Sequence, residues 1–209
     1  MKVLITNVQV YTVSHGVIDK GSVLVEDGKI SQVSAGDIQV EGATVVDGKG
    51  LTLMPGFIDA HTHVGISEEG FGWEGADYNE WVDPVTPYLR AIDGINPMEQ
   101  GVKDALEGGV TTICAAPGSA NVIGGTACVF KPFGKAIDKM VIKDPVALKA
   151  ATGENPKRVY RDMKKSPVTR MATASLMRQA LLKAKSYMEK KEKYANEPEK
   201  QPDFDLGME

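Results

Sequence analysis

The chain has 209 residues, 42% of them hydrophobic and 25% charged, with a formal net charge of −4. That length allows one or two domains, and the charge balance excludes the strongly basic profile of a nucleic-acid binder. The two cysteines, Cys114 and Cys128, form neither a metal-type spacing nor a disulfide scaffold, which points to a reducing, cytoplasmic setting. The start, Met1-Lys2-Val3-Leu4-Ile5-Thr6-Asn7, lacks the apolar core of a signal peptide, and no run approaches the roughly 18 apolar residues of a membrane span.

Residues 1–54 read as short strands joined by tight turns. Val3–Val10 is β-rich. Ser22–Glu26 and Lys29–Val33 flank Asp27-Gly28, a pair suited to a type I′ hairpin because both central positions need positive φ. Asp47-Gly48 repeats the signal between Ala43–Val46 and Leu51–Met54. The expectation is a small antiparallel β-domain. His15, in a Ser-His-Gly turn, reads as a solvent-facing loop residue.

Pro55-Gly56-Phe57-Ile58-Asp59-Ala60-His61-Thr62-His63 changes the character of the chain. As a strand, it puts Asp59, His61 and His63 on one face. Two histidines at i and i+2 have Cα atoms about 6.5 Å apart, close enough for both rings to tilt onto one ion. The competing reading is a pair of surface or core histidines on a hairpin. Against it, two of only three histidines lie on this one strand, behind a Pro-Gly turn and an apolar run.

Leu53-Met54-Pro55-Gly56-Phe57-Ile58-Asp59-Ala60-His61-Thr62-His63 resembles the first barrel strand of the metal-dependent amidohydrolase superfamily, near its imidazolonepropionase-like and prolidase-like members. The resemblance implies an α/β fold: the N-terminal part of a (β/α)8 barrel over residues 55–209, preceded by the small β-domain of 1–54. A whole barrel takes about 250 residues, so only part of one is expected.

Residues 65–97 form a long loop holding both tryptophans, Trp73 and Trp81. Loops of this length often serve as lids or binding loops. The alternative is that the indoles pin the loop to the barrel. Asn96-Pro97 reads as the N-cap and first residue of a helix ending at Gly108-Gly109. Val110–Pro117 reads as a buried strand, with Cys114 in the core; its Gly-x-Thr-Thr head also resembles the superfamily. The glycine-rich Gly118–Gly125 follows, either a tight structural turn or a loop approaching a substrate anion. Trp73 and Asn121 are the residues expected at the substrate.

Cys128–Lys131 and Met140–Lys143 read as two strands. Val146–Thr152 reads as a further barrel strand ending at Gly153-Glu154, with Asn155-Pro156 opening a helix. Glu154 then sits at a strand tip, where its position resembles the metal-binding glutamate of single-metal deacetylases. Lys149 is the alternative, resembling the carboxylated lysine of binuclear members. The two differ by an odd number of positions, so a regular strand cannot aim both inward. Glu154 also suits an exposed site at a helix start. From Ser166-Pro167 a helix runs to about Tyr194, with a solvated basic face of Arg178, Lys183, Lys185, Lys190 and Lys191.

The resemblance implies hydrolysis of C–N bonds in a small-molecule substrate, such as a cyclic amide, amide or urea. It implies a divalent metal, Zn2+, as one or two ions held by His61, His63 and Glu154. No histidine follows His63, and the family's general-base aspartate belongs to a later strand. As written, the chain is expected to bind metal weakly and to hydrolyse little alone. The alternative is a non-catalytic half-barrel or assembly partner. Exposed sheet edges favour a homo-oligomer, with no nucleic acid and no membrane partner.

Overall fold

In the computed structural model, which describes residues 1–209, the β-rich start forms a five-stranded mixed sheet. Its strands are β1 (Lys2–Tyr11), β2 (Val17–Glu26), β3 (Lys29–Ser34), β4 (Thr44–Asp47) and β5 (Thr52–Leu53). The order is β3-β2-β1-β4, with β5 also on β1. Asp27 and Gly28 take φ of 49° and 76°, as the β2–β3 hairpin requires.

Asp47-Gly48 does not make the second hairpin. β4 and β5 each pair in parallel with β1 rather than with each other, so the sheet is mixed and not antiparallel. The glycine is there for proximity: a Cβ on Gly48 would lie 2.2 Å from Val8 Cγ1. Asp47 accepts from Asn7 Nδ2 at 3.0 Å. Asn7 has φ of 56°, at an irregularity in the β1–β2 register. An inserted residue flips the facing of everything after it. Leu4 accordingly packs with Leu24 and Ile38, whereas Val8 and Val10 pack with Val23.

The chain divides into two compact units, Met1–Gly56 and Phe57–Glu209. The second holds a four-stranded sheet in the order β6 (Phe57–Thr62), β7 (Val110–Ala115), β8 (Ile123–Phe130), β9 (Val141–Ala150). β6 and β7 are parallel, joined by a crossover containing α1 (Ala91–Gly94) and α2 (Gln100–Glu107). β8 runs antiparallel to both its neighbours. The chain between Ala115 and Ile123 is too short for a parallel crossover, which needs a dozen or more residues. The expected run of parallel barrel strands is therefore interrupted at β8. Two reversals leave β9 running in the sense of β6 and β7, so the C-terminal ends of β6 and β9 point the same way.

Helix starts also differ in detail from expectation. α2 begins at Gln100 with Glu99 as its cap, and Asn96 instead caps Met98 N locally. β9 is one strand rather than two, and α3 (Glu154–Asp162) starts after its end. α4 (Arg170–Lys193) is capped by Thr169, whose hydroxyl accepts from Ala172 N. No helix is long and apolar enough to cross a membrane. Ile66, Ile95, Val102, Ile113, Cys128 and Phe130 form the core between the sheet and the crossover helices.

The long 65–97 segment is ordered by β8. Thr86 N donates to Ile123 O and Thr126 N to Leu89 O, both at 2.8 Å. A Cβ on Gly125, at φ +104°, would sit 2.4 Å from Leu89 O, and one on Gly118 would strike the Asn79 amide. The glycine-rich stretch thus lets the loop backbone lie against the sheet.

Candidate metal centre

His61 lies within β6 and His63 just past its end, after an irregularity in the β6–β7 register between Asp59 and Thr62, and the two imidazoles still come close together. His61 and His63 have ring centroids 5.9 Å apart, with planes at 85°. His63 Nδ1 lies 2.8 Å from Ala116 O, just beyond the end of β7. A carbonyl can only accept, so Nδ1 carries the proton and the neutral ring keeps its lone pair on Nε2. Tyr78 stacks on the same ring at 5.1 Å. The backbone N–H of His61 donates to Asp59 Oδ1 at 3.2 Å.

Lys149 joins the pair and Glu154 does not. Lys149 Nζ is 3.2 Å from His61 Nε2. On a flat sheet three strand spacings would separate β6 from β9 by about 14 Å, and the four-carbon stem of Lys149 helps to span that gap. Burial holds its ammonium below the usual lysine range. Glu154 is the first residue of α3, and its exposed carboxylate pairs with Lys157 at 2.9 Å. That ion pair holds its carboxyl below the usual range. The strand ends at Ala150, so Glu154 is placed by the helix and not by the sheet.

No group of three or more His, Cys, Asp or Glu is arranged so that it could hold a metal ion. What does assemble is two imidazoles beside an amine. That set fits part of a divalent-cation site, with the Nε2 lone pair of His63 free and that of His61 turned to Lys149.

The other expected residues have different employment. Asn121 is fully buried, and its amide donates to Glu80 O at 2.6 Å and Asp83 O at 2.8 Å. The Tyr160 hydroxyl donates to the same two carbonyls, and burial raises its pKa well above the usual range. Asn121 therefore anchors the loop from below. Trp73 is 83% exposed on a short 3-10 turn. It is Trp81 that lines a cavity of about 250 Å³ with His63, Tyr78, Ser119, Asn155 and Arg158. His15 is exposed and bonds to its neighbour Ser14.

The profile of the amidohydrolase family matches residues 52–191. This chain belongs to the amidohydrolase family. A crystal structure of an amidohydrolase from Thermotoga maritima MSB8 is 44% identical and superposes with a TM-score of 0.93, covering 99% of this chain and 53% of that one. Amidohydrolase tasK of Hapsidospora irregularis is 34% identical over 191 residues, 84% of this chain and 19% of that protein. A dihydroorotase of Syntrophotalea carbinolica is 34% identical over 122 residues, 58% of this chain and 23% of that protein. This amidohydrolase chain thus spans about half the length of its structural relative and a quarter or less of these two curated ones.

Sequence reasoning missed four contributors to the site: the Ala116 carbonyl, Tyr78, Glu99 and Arg158. Glu99 is buried and accepts from Gly65 N at 2.9 Å and Gly101 N at 2.7 Å. It ties the turn after His63 to the start of α2. The position of Glu99 three residues after Asn96 in a helix-start pattern was the available signal.

Proposed function

We propose that the chain carries the leading part of a metal-dependent (β/α)8 hydrolase acting on non-peptide C–N bonds, in cyclic amides, amides or ureas. The observation that carries this reading is the meeting of His61, His63 and Lys149 at the C-terminal ends of β6 and β9. Family membership and relatives named dihydroorotase and deaminase support the choice of bond. Catalytic sites of such barrels lie at the C-terminal ends of the strands. A divalent cation, Zn2+ in our reading, supplies Lewis acidity toward a carbonyl and a water when bound.

His61 and His63 would hold the ion through Nε2, with the Ala116 carbonyl fixing the tautomer and tilt of His63. Tyr78, stacked on His63, keeps water off that ring face. Lys149 as an amine is a poor partner for a cation, but addition of CO2 changes that. The neutral Nζ lone pair forms an N–C bond to CO2, one C=O π pair moves to oxygen, and the Nζ proton leaves to solvent. The product is an anionic carbamate. The reaction needs unprotonated amine, and the burial that lowers the Lys149 pKa raises that fraction.

Labelled bicarbonate tests this step. With 13C-bicarbonate, a carbamate carbon signal is expected in the parent protein and not in Lys149→Met. Absence of any adduct, with zinc uptake lost instead in Glu154→Gln, would return the third ligand to Glu154.

A second reading, an assembly component, draws on the sheet edges. Phe57 and Ile58 on β6 are 56% and 70% exposed, and Ile142 and Leu148 on β9 are also open. Sedimentation equilibrium would show a mass rising with concentration for a homo-oligomer. A constant monomer mass would sink that reading.

A further inference from the structure

The sheet of the second unit is a curved wall with two open edges. Its order is β6-β7-β8-β9, so β6 and β9 each pair on one side only. On a flat sheet their side chains would stand parallel, about 14 Å apart. Lys149 Nζ instead lies 3.2 Å from His61 Nε2. The sheet therefore curls, with both residues on its concave face. An interior just wide enough for side chains to fill belongs to a barrel of about eight strands. Four strands bent to that width leave room for about four more.

The open edges have the sense needed to join. β6 is parallel to β7, and two antiparallel steps bring β9 back to the same direction. A two-fold axis along the strands then sets β9 of one copy beside β6 of the other, in parallel, at two identical seams. Apolar surface is bare where these seams would form. Phe57 and Ile58 of β6 are exposed. α4 flanks β9, with Leu176 and Leu148 lining one cavity, yet Thr173 is its one buried residue. Leu182 and Met188 on α4 are more than half exposed. A helix beside β9 with uncovered apolar side chains can cover the strand that arrives next to it.

We infer that two copies of this chain close one eight-stranded barrel, each supplying four strands. The axis along the strands keeps the C-terminal ends of both copies of β6 and β9 at one mouth. The closed mouth holds four imidazoles and two Lys149 amines, so donors that one copy lacks come from the other. The inference rests on the proposed half-barrel, and it names the partner in the assembly reading. Length agrees with it: the chain covers 53% of the Thermotoga maritima amidohydrolase, so two copies supply about one such chain.

Sedimentation equilibrium of the full 209-residue chain should reach a plateau at two copies, because a closed barrel has no edge left to extend. A mass that stays at one copy, or climbs past two without a plateau, would overturn the inference. The seam is read by a short bismaleimide. Ala60→Cys and Leu148→Cys, each in a Cys114→Ser chain, stand one residue before the His61–Lys149 contact and so at matched heights. Cys128 is buried and stays silent. The two chains should cross-link when mixed, and neither should do so alone. Cross-linking of either chain alone reports β6 against β6 or β9 against β9, and refutes the closed barrel. Leu182→Glu changes an exposed side chain of the single copy and should weaken association at least about tenfold; unchanged association would contradict the seam. Zinc content of the same samples separates the two readings. A cross-linked dimer without zinc defeats only the metal centre, and zinc held by a single copy defeats only the closed barrel.

Discussion

Glu99 offers a clear link between a buried side chain and the geometry of the histidine strand. Its carboxylate, 5% exposed, is the acceptor for two backbone donors, Gly65 N and Gly101 N. Glu99→Ala leaves both N–H groups without a partner and removes a helix cap. An unsatisfied buried donor costs about 1–3 kcal/mol, and loss of a cap about 1. The two costs overlap at Gly101, so the expected loss is about 3 kcal/mol. Glu99→Gln keeps one carbonyl oxygen and should lose roughly half as much. Urea denaturation reads the change as a lower midpoint at unchanged slope. Amide exchange at Gly65, two residues beyond His63, should accelerate in Glu99→Ala. A loss below about 1 kcal/mol would show that these donors find water instead, and the reasoning would fail.

Two further outcomes follow from burial and close approach. Gly125→Ala forces a Cβ into Leu89 O at positive φ. It should cost at least about 2 kcal/mol and lower the Tm by roughly 4–8 °C, and an unchanged Tm would mean the loop does not lie on β8. Burial, helped by the Asp144 charge, pushes the Cys128 thiol up to about 11, and burial also raises Cys114. At pH 8 the buried Cys128 of native protein should therefore react with a thiol reagent only on denaturation, with the half-buried Cys114 reacting first; immediate titration of both would contradict this. The sign for stability follows, since the raised folded pKa favours the neutral thiol. That contribution is full below the ordinary 9.0 and is lost as pH rises toward about 11.

The histidine pair was legible because residues two apart in sequence stay close: the rings lie 5.9 Å apart although β6 ends at Thr62 and its register with β7 is irregular there. The β2–β3 hairpin was legible for the same reason, its Asp-Gly turn being set by two dihedrals. Asp47-Gly48 misled because its glycine answers to Val8, forty residues away in sequence. Glu154 and Lys149 hinged on where one strand stops. β9 ends at Ala150, and nothing local separates the last strand residue from the three that follow. The antiparallel course of β8 was readable in principle from the short link after Ala115, which no parallel crossover could span. The Ala116 contact with His63, and the place of Arg158 in the cavity beside it, depend on neighbours that only the folded chain brings together.

Zinc uptake by equilibrium dialysis in bicarbonate buffer, with elemental analysis of the protein, tests the metal centre most directly. Zinc should be retained by the parent chain, sharply reduced in His61→Ala and His63→Ala, and reduced to its bicarbonate-free level in Lys149→Met. Zinc near zero in the parent, or zinc indifferent to His61→Ala, would contradict a cation site at the end of β6.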